Sequence, residues 1–131
     1  MKKNALLNQP ISNLIAGLGH LDTICIADAG LPIPRDVTRI DLALSKNIPA
    51  FLDVLDAVLS EMQIEGAIIA NEMASHSPDL YQALSEKLGD IPITTVSHTN
   101  FKNETKTTHA VIRTGEFTPY ANIILIAGVV F

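Results

Sequence analysis

The sequence predicts an α/β layered fold in which a mostly parallel central sheet is flanked by helices. Three observations carry this expectation. Short uncharged apolar runs, TICIA at 23–27 and AIIA at 67–70, read as strands covered on both faces, and NIILIAGVVF at 122–131, the most apolar stretch, is expected to be buried in the sheet or in a subunit contact. Between such runs lie stretches whose apolar residues recur every three or four positions, the helical period. The two kinds alternate along the chain, which favours parallel strands joined by helical crossovers.

Taken in order, Ile11, Leu14, Ile15 and Leu18 share one face of a short amphipathic helix leading into Gly19. The strand at 23–27 follows, and Asp28-Ala29-Gly30 opens a turn. GLPIPRD carries two prolines, which predict a surface loop at 30–36. RIDLALS alternates, placing Ile40, Leu42 and Leu44 on one face of a half-buried strand. Pro49 to Met62 gives the clearest helix, with Phe51, Leu52, Leu55, Val58, Leu59 and Met62 on its apolar side and Pro49 in its first turn. Ser77-Pro78 reads as N-cap and first-turn proline of a helix that presents Leu80, Tyr81, Leu84 and Leu88 and stops at Gly89. PITTVSH is a strand delivering His98. The polar TNFKNETKT after it is either a solvated helix or a loop. AVIR at 110–113 is a further strand, and TGEFTPY links it to the last one.

A chain of 131 residues is one domain by size, spanning 1–131, and can bury a core without metals or disulfides. Its 47% hydrophobic content and mean hydropathy of +0.28 are high for a small domain, which predicts a homo-oligomer. The net charge is −5 and the basic residues form no patch larger than Lys2-Lys3, so nothing favours nucleic acid as a partner and none is expected. Ala5-Leu6-Leu7 is too short for the apolar core of a signal peptide, and no run approaches the ~20 residues of a membrane span. Cys25 sits alone in the first strand as a small core residue, and a cytoplasmic location is expected.

The stretch GLGHLDTICIADAG at 17–30 sets the functional problem. His20 lies at one end of its strand and Asp28 at the other. Eight residues at roughly 3.3 Å each separate them by about 26 Å if the run is straight. Either the flanks fold back, or His20 of one chain works beside Asp28 of another. In open α/β sheets ligands bind at the carboxyl ends of strands. Asp28, Asn71-Glu72 and His98 fall there, and His20 does not.

The motifs narrow the chemistry. GLG at 17–19 precedes its strand and lacks a third glycine, unlike a phosphate loop. His20, His76, His98 and His109 show neither an i, i+4 pair nor Cys or carboxylate partners at zinc spacing. No GxSxG nucleophile motif occurs. What remains is acid–base chemistry without metal, cofactor or covalent intermediate, for which histidine is suited because it gives and takes protons near neutrality.

GLGH ending at His20, DAGLP from Asp28, HTNFK from His98 and the final VIRTGEFTPYANIILIAGVVF resemble the ribose pyranase and L-fucose mutarotase family. The likeness covers essentially the whole chain, and PYANI at 119–123 after RTGE is its most specific part. It implies a cytoplasmic isomerase that interconverts ring forms of a free monosaccharide, for D-ribose the β-pyranose and β-furanose forms. It implies no cofactor, and assembly into ring-shaped decamers. It also implies His20 as proton donor and Asp28, His98, Tyr120, Ala121 and Asn122 as sugar-binding positions, with Ala121 contributing backbone only.

Structural roles compete for the same residues. Asp28 can satisfy its own turn, His98 can cap the segment after its strand, and Tyr120 and Asn122 can be turn residues. His76 and His109 read as surface or packing residues, and Lys102 as solvated. Two other functions stay open, a mutarotase for another free sugar such as L-fucose and a non-catalytic sugar-binding accessory to transport. The two-ended placement of His20 and Asp28 predicts a site shared between subunits.

Overall fold

The computed structural model describes residues 1–131. Its elements are α1 (Gln9–Gly17), β1 (Thr23–Ala27), β2 (Thr38–Asp41), α2 (Phe51–Leu59), β3 (Ile64–Ala70), α3 (Glu72–His76), α4 (Pro78–Leu88), β4 (Ile93–Val96), α5 (His98–Glu104), a 3₁₀ turn at Thr105–Thr107, β5 (Ala110–Arg113) and β6 (Ile123–Ala127). The six strands form one sheet in the order β2-β5-β1-β6-β3-β4. β2, β5 and β1 pair in parallel, as do β3 and β4, while β6 runs antiparallel to both its neighbours, β1 and β3. The sheet is mixed and mostly parallel, with its one reversed strand near the centre.

That position explains why residues 123–127 are so apolar, whereas Val129, Val130 and Phe131 lie beyond the sheet and are exposed in the single chain. Ile123, Ile124, Leu125 and Ala127 are buried between two other strands and under helices on both faces. β1 shows the same two-sided covering. Ile24 and Ile26 point into the larger core with Phe51, Leu55, Val58, Met73 and Leu84, and Cys25 and Ala27 point into a smaller one with Leu31, Phe101 and Val111. Alternate residues therefore feed opposite faces, and both faces are dry. Burial and the nearby Asp28 charge push the Cys25 thiol far above its ordinary range, so it is an inert core group.

Four local expectations are corrected. The strand predicted at 39–45 stops at Asp41, whose carboxylate turns back to accept from the Ala43 N–H at 3.1 Å, and Leu44 is left 80% exposed. Helix α2 starts at Phe51 rather than Pro49. Its N-cap Ala50 offers no side chain, and Glu116 caps it from a distance, accepting the Phe51 N–H at 2.9 Å. Ser77 does not cap α4, because its hydroxyl donates to the Pro119 carbonyl at 2.7 Å. β3 begins three residues before AIIA, and α3 follows it directly. The polar segment after His98 is the helix α5, begun by Ser97 accepting from the Asn100 N–H at 3.2 Å.

The β5–β6 link is pinned at Gly115. Its N–H donates to Pro49 O at 2.9 Å and its carbonyl accepts from Asn47 at 2.6 Å. A Cβ there would collide with the carbonyl oxygens of Ile48 and Ser45, whereas one on Gly17 at the end of α1 meets nothing. Gly115→Ala is expected to lower stability by about 1–3 kcal/mol through overpacking. Gly17→Ala should leave stability unchanged or raise it by up to about 1 kcal/mol. Urea-unfolding midpoints of the two variants check this ordering, and equal midpoints would contradict it.

Candidate active site

Because β6 runs against its neighbours, its first residues arrive at the edge where β1, β3 and β4 end. Asn122, just before β6, is fully buried there. Its Oδ1 accepts the Asp28 N–H at 2.9 Å and its Nδ2 donates to Asp28 Oδ2 at 2.8 Å. The other carboxylate oxygen, Oδ1, accepts the Gly30 N–H at 2.9 Å. Asp28 thus satisfies its own turn and is also held by a residue 94 positions away. The structural and functional readings of Asp28 are compatible, since each oxygen keeps further lone pairs for a ligand.

Beside this pair lies a cavity of about 290 Å³ lined by Asp28, Gly30, Leu31, His98, Pro119 and Tyr120. Tyr120 adopts φ = 63°, a left-handed conformation that costs a tyrosine roughly 1–3 kcal/mol. Its ring is held between two imidazoles, His98 edge-on at 5.1 Å and 86°, and His76 tilted at 5.1 Å and 56°. The Tyr120 carbonyl accepts the Asn122 N–H at 2.8 Å. Ala121 is buried between them, its side chain in the larger core, so it offers the site backbone alone.

Two carboxylates fix the segments that carry these groups. Glu72, just past β3, accepts the His98 N–H with both oxygens at 3.1 and 3.0 Å, and that bond holds its carboxyl below the usual range. His98 Nδ1 is buried without a partner. Desolvation raises Glu116, but the N–H of Phe51, the Thr118 hydroxyl and N–H, and the Phe117 N–H outweigh it, so Glu116 too stays ionised below its ordinary range. It ties the 116–119 segment to the start of α2, next to a second cavity of about 360 Å³ that shares Asp28.

His20 is elsewhere. It lies before β1, at the opposite edge of the sheet, with its side chain 51% exposed and Nε2 2.9 Å from Glu65 Oε2. A cavity of about 460 Å³ adjoins it, lined also by Leu18, Met62, Val129, Val130 and Phe131. The five residues of β1, roughly 17 Å of strand, stand between His20 and Asp28. Within one chain the structure brings together Asp28, His98, Tyr120, Ala121 and Asn122, and leaves His20 out. Each edge also exposes large apolar side chains, Leu21, Val130 and Phe131 near His20, and Leu44, Ile48 and Phe117 near the Asp28 edge.

Sequence reading left four contributors without a role. Glu72 was visible at the end of a strand, but nothing local signals that it grips His98. His76 looks like a surface residue because its contact with Tyr120 joins α3 to a loop 44 positions on. Glu116 and Glu65 sit in polar surroundings that resemble solvated surface. His109, as expected, is peripheral, 3.6 Å from Asp22.

The chain is similar over its whole length to known proteins. A D-ribose pyranase of Coprothermobacter proteolyticus is 58% identical over 131 residues, covering all of both chains. The structure of Bacillus subtilis RbsD complexed with D-ribose superposes with a TM-score of 0.97 at 46% identity, covering both chains fully. The fucose mutarotase of Streptococcus pneumoniae in complex with L-fucose is more distant, with a TM-score of 0.75, 27% identity and coverage of 97% of this chain and 96% of that one. With a family model matching residues 1–130 as well, the chain belongs to the RbsD / FucU transport protein family.

Proposed function

We propose that this chain is an isomerase that interconverts the β-pyranose and β-furanose forms of D-ribose, at a site built from His20 of one subunit and the Asp28 edge of its neighbour. The observation that carries the activity is the end-to-end match to D-ribose pyranase, together with the near-identical fold of a ribose-bound relative. The reading as an L-fucose mutarotase has only the lower likeness behind it. For the shared site, support comes from the two polar groups on opposite edges, each bordered by exposed apolar side chains.

A contact that joins one edge of a chain to the opposite edge of the next is heterologous, and such contacts form rings where the rotation between copies closes. This suits the proposed ring-shaped decamer. A single buried cysteine with no disulfide partner suits a cytoplasmic setting.

Ring opening requires a proton on the ring oxygen and removal of one from the anomeric hydroxyl. His20 is assigned the first task. The Asp28 carboxylate, or a water it holds, takes the second proton. Asp28, His98 and the Tyr120 hydroxyl orient the sugar's hydroxyls. Asn122 acts by keeping Asp28 in place. Positioned acid–base groups contribute about 10²–10⁴-fold, enough for a reaction that already proceeds unaided.

Magnetisation-transfer NMR on equilibrated ribose tests the activity. The wild-type protein should accelerate pyranose–furanose exchange, and exchange confined to L-fucose, or binding without exchange, would contradict the assignment. His20→Ala should abolish acceleration while the oligomer persists by light scattering. Full activity in that variant would remove His20 as donor. Asn122→Asp sets a second carboxylate against Asp28 and deletes its donor, so KM for ribose should rise roughly ten- to a hundred-fold, the weight of a buried unpaired group. An unchanged KM would show that the pair does not serve binding.

A further inference from the structure

We infer that Glu65 is the positioning residue for His20: it holds imidazole Nε2, so that Nδ1 is the atom that exchanges the proton with the sugar. This deepens the proposed function and rests on its reading of His20 as the donor.

The contact is His20 Nε2 to Glu65 Oε2 at 2.9 Å. An ionised carboxylate only accepts hydrogen bonds, so the hydrogen between them belongs to Nε2 whether the ring is neutral or charged. Nδ1 is then the one ring position left to change its protonation. Glu65 is the one carboxylate within hydrogen-bond distance of the His20 ring, and the other acids in the neighbourhood contact different groups. Asp22 Oδ2 is engaged by the Gly19 N–H at 2.7 Å and lies 3.6 Å from His109 Nε2, and Glu61 is paired with Lys2 at 3.0 Å.

The backbone is arranged to aim Glu65. The β3–β6 ladder pairs Ile64 with Ala127 and Gly66 with Ile126, so Glu65 is an extra residue in a bulge between two regular pairs. Bulges re-aim a side chain and are common beside active sites. Gly128 closes over the bulge, where an added Cβ would lie 3.2 Å from the Glu65 Cβ. With the pair 51% and 41% exposed, its contribution to the stability of a single chain is small. Its effect is on orientation and tautomer.

The step balances. On opening, the imidazolium Nδ1–H gives its proton to the ring oxygen, which keeps the electron pair of the breaking C1–O bond. The anomeric hydroxyl becomes the carbonyl as its proton passes to the Asp28 carboxylate or a water there. On closure another hydroxyl oxygen bonds to C1 and returns its proton to Nδ1, and the second acceptor gives its proton back to the anomeric oxygen. Nε2–H stays on Glu65 throughout.

The test uses the full chain labelled with ¹⁵N-histidine, His20 being assigned by its absence from the spectrum of His20→Ala. The neutral ring should be protonated at Nε2 and bare at Nδ1. Glu65→Ala should give a tautomer mixture and lower kcat roughly ten-fold or more at unchanged KM for ribose, and Glu65→Gln, whose carbonyl still accepts, should fall between it and wild type. A wild-type ring protonated at Nδ1, or an unchanged kcat in Glu65→Ala while His20→Ala is inactive, overturns this inference alone. Full activity in His20→Ala overturns it together with the donor assignment.

Discussion

The double hydrogen bond between Asn122 and Asp28 is the constraint on which the site depends. It joins two segments 94 residues apart, and it exists because β6 enters the sheet in the reverse direction. Had β6 run parallel to β1, Asn122 would start at the far edge and the segment carrying Tyr120 would never reach Asp28. The buried amide must be satisfied, and the acid beside it supplies the partner. An antiparallel strand at the centre of a mostly parallel sheet is thus what brings Asn122 and Tyr120 to the carboxyl edge beside Asp28.

The same topology leaves His20 stranded. It precedes β1, and any residue there belongs to the amino edge. A single chain therefore presents two polar clusters on opposite edges, each bordered by apolar side chains that water covers at a cost of about 25 cal/mol per Å². Association of unlike edges would remove that cost and complete the chemistry together. The fixed carboxylates Glu72 and Glu116, and the left-handed Tyr120 held against His76 and His98, hold the Asp28 edge in place within one chain. At the opposite edge the bulge in β3 carries Glu65, the partner of His20.

Much of this was legible in the sequence. Uncharged runs located β1 and β6, helical spacing located α1, α2 and α4, and the strand ends placed His20 and Asp28 apart. The failures have physical causes. Glu65 and Gly66 hide the first half of β3 because a bulge interrupts its pattern. RIDLALS alternates beyond Asp41, but the carboxylate folds the chain back before Leu44 can be buried. Ser77 has the composition of a cap, yet Pro119 competes for its hydroxyl. Glu116 caps α2 and Asn122 grips Asp28 across long sequence separations that no local pattern records. The family resemblance supplied Asp28, His98, Tyr120, Ala121 and Asn122 as candidates, and the residues that hold their segments in place became visible only in three dimensions.

The shared site is the central claim, and subunit complementation measures it most directly. His20→Ala and Asp28→Ala chains, each inactive alone, are mixed, unfolded and reassembled together, and ribose ring exchange is followed by NMR. Mixed assemblies place an intact His20 against an intact Asp28 edge at some contacts, so the account predicts that exchange returns. Mixed assemblies that form and stay inert would contradict it.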